Sequence, residues 1–240
     1  MPESSNLRIG LFGGTFNPIH NGHLSIIEFA QKNLNLNKLI IIPAGKPPHK
    51  NQLNQDVESY KHRMAMIKIA INQKKKQIPE IEISKIDHPC EIKNFNWTYL
   101  LLKKIRQQYL KDDLLWLMGM DSFLALPSWK NWQKLVKMCN FVVFNRIEND
   151  AKSNTNKQEV LETIKNVIRN INIQEVKINY PYGEIEFVNF PIINITGSDI
   201  RQKLKKNDLN NLKEIIPQGV LNYIFENNLY QRNTAVFKFK

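Results

Sequence analysis

The sequence predicts an α/β fold: an open parallel sheet with helices on both faces and a helical C-terminal part. Three observations carry that expectation. Short apolar runs alternate with stretches of helical periodicity along most of the 240 residues. The first run ends on a glycine pair, Gly13-Gly14, where a buried strand gives way to a helix. Strand and helix taken in turn imply right-handed crossovers and hence parallel strands.

The elements follow in order. Leu7 to Phe12 reads as the first strand, and a helix follows from about Gly22. Leu39 to Ile42 is a second strand, stopped by Pro43, and a loop rich in Gly, Pro, Asn and Gln leads to a helix bearing Tyr60, Met64, Ile67 and Ile71 on one face. The alternation continues with a strand at Ile81 to Ile86, a helix at Thr98 to Tyr109, a strand at Leu114 to Met118, a helix at Trp132 to Met138 and a strand at Phe141 to Phe144. The polar stretch Asn149 to Lys157 is expected to be a surface loop, followed by an amphipathic helix holding Val160, Ile164, Val167 and Ile171. A last strand at Ile185 to Val188 leads through Pro191 to Thr196-Gly197-Ser198, where a serine cap is expected to open the helix of Ile200 to Leu204. The final helix is placed at Gln218 to Asn227. One domain is expected over residues 1–240, with its core at about 7–230, and the tail Gln231 to Lys240 is expected to be mobile because it carries neither start nor stop signals.

Composition narrows the class. Hydrophobic residues make up 42% and charged residues 23%, which suits a packed core rather than a disordered chain. There is no basic-then-apolar leader and no apolar run approaching the ~20 residues a spanning helix needs, so a cytoplasmic protein without a membrane partner is expected. Cys90 and Cys139 each lack a second ligand at metal spacing, which signals neither a disulfide framework nor a zinc site. The net charge of +12 permits anion binding. It is equally accounted for by solvated lysines such as Lys74 to Lys76 and Lys203 to Lys206.

The chemistry concentrates in the run Gly13-Gly14-Thr15-Phe16-Asn17-Pro18-Ile19-His20-Asn21-Gly22-His23, at the first strand-to-helix junction. Ligands of open parallel sheets collect at the carboxyl ends of strands. Glycines there let a phosphate approach the backbone, and the helix N-terminus adds N–H donors. His20 and His23 stand three apart at the helix entry, so both imidazoles can face one bound triphosphate. Neither has to act as a base, because a phosphate acceptor with a second pKa of about 6 is already an anionic nucleophile near neutral pH. Alignment and charge stabilisation then carry the transfer, a task that suits both histidines and Arg201.

This run resembles the nucleotide-binding signature of the nucleotidyltransferase superfamily, whose Rossmann-like domains share a His-x-Gly-His element with class I aminoacyl-tRNA synthetases. Further segments are similar to those of bacterial nicotinate-nucleotide adenylyltransferases: Pro43 through Lys50, Arg63-Met64-Ala65-Met66, Trp97-Thr98-Tyr99-Leu100, Gly119-Met120-Asp121-Ser122-Phe123, Trp129 through Trp132, and Ile216-Pro217 to Leu229-Tyr230. The resemblance implies formation of deamido-NAD and pyrophosphate from ATP and nicotinate mononucleotide, with Mg2+ carried by the ATP. It places Gly13, Gly14, Thr15, Phe16, His20 and His23 on the ATP phosphates, Gly119 and Asp121 beside the adenosine, and Ile195, Thr196, Ser198 and Arg201 in the late motif that holds adenine and phosphates. The pyridine end falls near Thr98, Tyr99 and Trp129, with Lys46, Lys50 and Arg146 offering positive charge to the mononucleotide. An aromatic face such as Trp129 can stack on the pyridine ring, and amides after Trp97 can donate to its carboxylate. Plain packing accounts for Trp132 nearly as well, and Thr98 also reads as a helix cap.

Two departures from the family pattern stand out: Asn17 replaces a common aspartate, and Thr196-Gly197-Ser198 replaces Ser-Ser-Thr. Nicotinamide mononucleotide or phosphopantetheine is the alternative acceptor. A nucleic-acid-binding module is the alternative class, but no aromatic-basic RNA motif supports it. A monomer or a homodimer is expected.

Overall fold

The computed structural model describes residues 6–45, 57–74, 80–87, 98–145, 151–169, 182–189 and 196–230. In chain order the elements are β1 (Arg8–Gly14), α1 (Asn21–Asn33), β2 (Lys38–Pro43), α2 (Tyr60–Lys74), β3 (Ile81–Ile83), α3 (Thr98–Gln108), β4 (Asp113–Gly119), α4 (Met120–Leu124), α5 (Trp132–Leu135), β5 (Asn140–Asn145), α6 (Ala151–Arg169), β6 (Ile185–Asn189), α7 (Gly197–Lys205), α8 (Leu212–Ile215) and α9 (Gln218–Glu226), with a 3-10 turn at Leu126–Ser128.

The described strands form a six-stranded sheet in the order β3-β2-β1-β4-β5-β6. Every pairing is parallel. Side chains alternate across the strands and divide the core in two. Phe12, Leu39, Ile41, Leu115, Leu117, Val142 and Phe144 pack under α1, α2, α7, α8 and α9. Ile9, Leu11, Ile40, Ile42, Trp116, Met118, Phe141 and Val143 face α3, α4, α5 and α6. The chain runs outward from β1 to β3, then returns to β4 and runs outward the other way. The direction of winding therefore reverses between β1 and β4, and a crevice opens at their carboxyl ends, the usual place for a ligand in such sheets.

Some sequence expectations need correction. The stretch Asn149 to Lys157 is not all loop: α6 already begins at Ala151. Polar residues of neutral propensity prolong a helix once its amphipathic part has nucleated it, so a polar run did not exclude helix here. The third strand ends at Ile83 rather than Ile86, because Ser84 Oγ accepts the N–H of Ile86 and turns this edge strand away. The helix after Trp132 ends at Leu135, and the short α4 and α8 carry too few residues to show a period. Thr98 is the first helical residue of α3 and so does not cap it from outside. The cap of α7 is Thr196 rather than Ser198: Thr196 Oγ1 accepts from the Asp199 N–H at 3.2 Å, and the Asp199 carboxylate accepts from the Thr196 N–H at 3.0 Å. With Gly197 already helical, Ser198 lies two residues past the cap. Ile171 and the tail from Gln231 lie outside the described residues, as do Lys46, Lys50, Arg146 and Ile195.

Candidate active site

The loop from Gly14 to His20 joins the carboxyl end of β1 to α1. The β1–β4 ladder ends with Phe12 paired to Leu117, and two residues later both strands finish on glycine, Gly14 and Gly119. A Cβ on Gly14 would lie 2.9 Å from the ring of Phe16, and one on Gly13 would lie 2.8 Å from Trp116, so side chains are excluded from the floor of the loop. Phe16 folds back over Gly14 with a positive φ of 48°. Its ring is 1% exposed and packs edge-on against Phe12 and His23. The side chain of Phe16 therefore anchors the loop in the core.

His20 takes the extended N-cap position of α1, and its carbonyl accepts the N–H groups of His23 and Leu24. The two imidazole rings stack with centroids 3.7 Å apart. The backbone N–H of His20 donates to His23 Nδ1 at 3.3 Å, which makes that nitrogen an acceptor and leaves the proton of a neutral His23 on Nε2. Burial, with repulsion from His20 second, holds the His23 pKa well below its ordinary value. A neutral imidazole and an accepting Nδ1 are the same state seen from two sides.

Arg201 reaches the loop from α7. Its Nη1 donates to the carbonyl of Asn17 at 2.8 Å and its Nη2 to Ser198 Oγ at 3.1 Å. Its Nε is buried with no hydrogen-bond partner among the described residues, a donor for which an incoming anion is the natural acceptor. Gly197 makes this approach possible, since a Cβ there would lie 3.1 Å from Asn17 O and 3.2 Å from Arg201 Nη1. The glycine of Thr196-Gly197-Ser198 is thus matched to the carbonyl it faces. Asn17, the other departure, is 4% exposed, and its Oδ1 accepts from Tyr230 Oη at 2.8 Å and from the Glu58 N–H at 3.1 Å.

A second arginine holds the loop from below. Arg63 of α2 is 1% exposed and spreads its guanidinium over three carbonyls: Thr15 at 2.8 Å, Glu58 at 3.0 Å and Gly45 at 3.1 Å. Gly45 is fixed in turn by its N–H bond to the buried Asp87 carboxylate at 2.7 Å. Arg63 and Tyr230 stand in segments that resemble the family without a task having been assigned to either, and Glu58 and Asp87 carried no signal of their own. The available signal was a charged residue inside the apolar stripe of Tyr60, Met64 and Ile67.

On the far side of the crevice a Cβ on Gly119 would meet nothing within 4 Å, so this strand end borders open space. Asp121 follows, exposed in the first turn of α4. Thr98 opens α3, and Tyr99 and Trp129 lie half-buried against the core cluster of that same face, whereas Trp132 is a core residue at 8% exposure. The described residues therefore fall into two groups, the glycine-floored loop with His20, His23 and Arg201, and the α3 and α5 face with Tyr99 and Trp129. Among the described residues, no three His, Cys, Asp or Glu side chains gather as a metal site, and no helix is long and apolar enough to cross a membrane.

Comparison with known proteins gives a consistent set of relatives. Residues 11–203 match the cytidylyltransferase-like family. A probable nicotinate-nucleotide adenylyltransferase of Clostridium novyi is 32% identical over 92% of this chain and 98% of its own length. The corresponding protein of Clostridium acetobutylicum is 33% identical over 92% and 97%. Among solved structures, Plasmodium falciparum nicotinic acid mononucleotide adenylyltransferase complexed with NaAD superposes with a TM-score of 0.72 at 21% identity, over 94% of this chain and 98% of that one. The same enzyme complexed with APC gives 0.71 at 22% identity over the same shares. These two likenesses establish the fold.

Proposed function

The chain belongs to the cytidylyltransferase-like family and to the nicotinate-nucleotide adenylyltransferases, and on that premise we propose that it joins the AMP of ATP to nicotinate mononucleotide, giving deamido-NAD and pyrophosphate for NAD biosynthesis. The observation that carries the site assignment is the meeting of a stacked histidine pair and a buried arginine on one glycine-floored loop at the switch point of the sheet.

The reaction is a displacement at the α-phosphorus. A phosphate oxygen of the mononucleotide forms the new P–O bond, the bond to the β-phosphate bridging oxygen breaks, and its electron pair leaves with pyrophosphate. The acceptor is already an anion near neutral pH, so no side chain has to deprotonate it. The site's contribution is alignment and charge. Gly13, Gly14 and Thr15 give backbone to the phosphates, with His20, His23 and Arg201 as donors to the oxygens that gain charge. Gly119 and Asp121 border the adenosine, Thr196 and Ser198 hold the late loop, and Thr98, Tyr99 and Trp129 receive the pyridine. The donor set at the loop is imidazole and guanidinium rather than carboxylate. It fits phosphate oxygens, and a magnesium ion would take its ligands from the triphosphate and water. That ion would neutralise charge on the phosphates.

Acceptor choice is tested by pyrophosphate release from Mg-ATP with nicotinate mononucleotide, nicotinamide mononucleotide and phosphopantetheine supplied separately. Release with the first is expected. Equal use of nicotinamide mononucleotide would overturn the preference for the acid, and release only with phosphopantetheine would overturn the pyridine site.

A further inference from the structure

Tyr230 follows α9 and lies 213 residues from the loop it touches. Its side chain is 6% exposed, its backbone N–H donates to the Glu58 carboxylate at 3.2 Å, and its hydroxyl donates to Asn17 Oδ1 at 2.8 Å. Burial and the neighbouring Glu58 charge push the phenol's pKa up, so it remains a donor across the working pH range. A second donor, the Glu58 N–H, meets the same oxygen. Two donors on one atom settle which end of the Asn17 amide is the oxygen and pin the residue in a single orientation. The carbonyl of that same residue is the acceptor that holds Arg201 Nη1.

Resting on the adenylyl-transfer reading above, we propose that Tyr230 is a positioning residue: through Asn17 it aims the carbonyl that orients Arg201 toward the triphosphate. The contact runs from phenol to amide oxygen, and from the carbonyl of the same residue to guanidinium, without leaving hydrogen-bond distance. A tyrosine kept only for packing would need no partner for its hydroxyl beyond water. Here the hydroxyl is buried, and its bond is spent on the residue that meets the arginine.

The test is Tyr230→Phe in the full chain, which removes one oxygen and keeps the ring. We expect kcat/KM for ATP to fall about tenfold and the ATP dissociation constant measured by calorimetry to rise, while KM for nicotinate mononucleotide stays within about twofold. In an Arg201→Lys background the same change should have less than about twofold effect, because the residue it serves is gone. Wild-type constants in Tyr230→Phe, or an undiminished tenfold loss in the Arg201→Lys background, would overturn the proposal. A wild-type protein that binds ATP without releasing pyrophosphate would remove the functional reading instead. The calorimetric comparison of wild type and Tyr230→Phe would still decide the role of Tyr230.

Discussion

His23 is neutral in the free protein because burial and its stacked neighbour disfavour a second charge. A bound triphosphate favours the charged form, so ATP binding near neutral pH should take up protons; calorimetry in buffers of different ionisation enthalpy measures the number, and an uptake of zero would mean that His23 donates as the neutral imidazole from Nε2. The stability effect has the opposite face. Above the ordinary histidine pKa both folded and unfolded forms are neutral and nothing is lost. As pH falls below about 6.5, the unfolded chain takes the proton first and stability declines until the folded pKa is reached. Arg63 illustrates structure rather than chemistry. Its buried fork satisfies three carbonyls, so Arg63→Lys should cost about 2–4 kcal/mol in urea unfolding, since one ammonium cannot span all three. The glycine pair and the histidines were legible in the sequence because their chemistry is local. The bonds from Arg63 to Thr15 and from Tyr230 to Asn17 were not, because they join positions 48 and 213 residues apart.

At the level of elements, α7 shows what a cap does for a site. The Thr196–Asp199 capping box fixes the first turn of the helix, and that turn carries Ser198 and Arg201. Thr196→Ala should lower stability by about 1 kcal/mol, measured by thermal or urea unfolding, and weaken ATP binding as the first turn frays. Undiminished stability would show that the box contributes nothing. The inner strands were readable because they are buried on both faces and form apolar runs, as in Leu39 to Ile42 and Leu114 to Met118. The start of α6 was not readable, because its polar first turns resemble a loop in composition. The same limit hid α4 and α8, each shorter than two helical turns.

Across the whole molecule, two buried arginines brace opposite ends of the sheet. Arg63 serves the carboxyl end, where the candidate site lies. Arg106 serves the amino end, donating to the carbonyls of Met138, Tyr109 and Asp112 while its guanidinium stacks over Tyr182. Nearby Cys139 is fully buried, and burial raises its thiol pKa so that it stays protonated and inert. The sheet order puts Gly14 and Gly119 at the ends of neighbouring strands at the reversal, which no single motif could reveal, although the alternation of strand and helix foretold a parallel sheet. On the proposed reading, transfer of AMP in this crevice depends on its histidine and arginine donors. The decisive measurement quantifies deamido-NAD and pyrophosphate together, from Mg-ATP and nicotinate mononucleotide, for the full chain and for His20→Ala, with the melting temperature of each. The expected result is equimolar products from the wild type and a loss of about 100-fold or more in the variant, with little change in melting temperature. No deamido-NAD from the wild type, or full activity in a folded His20→Ala protein, would contradict it.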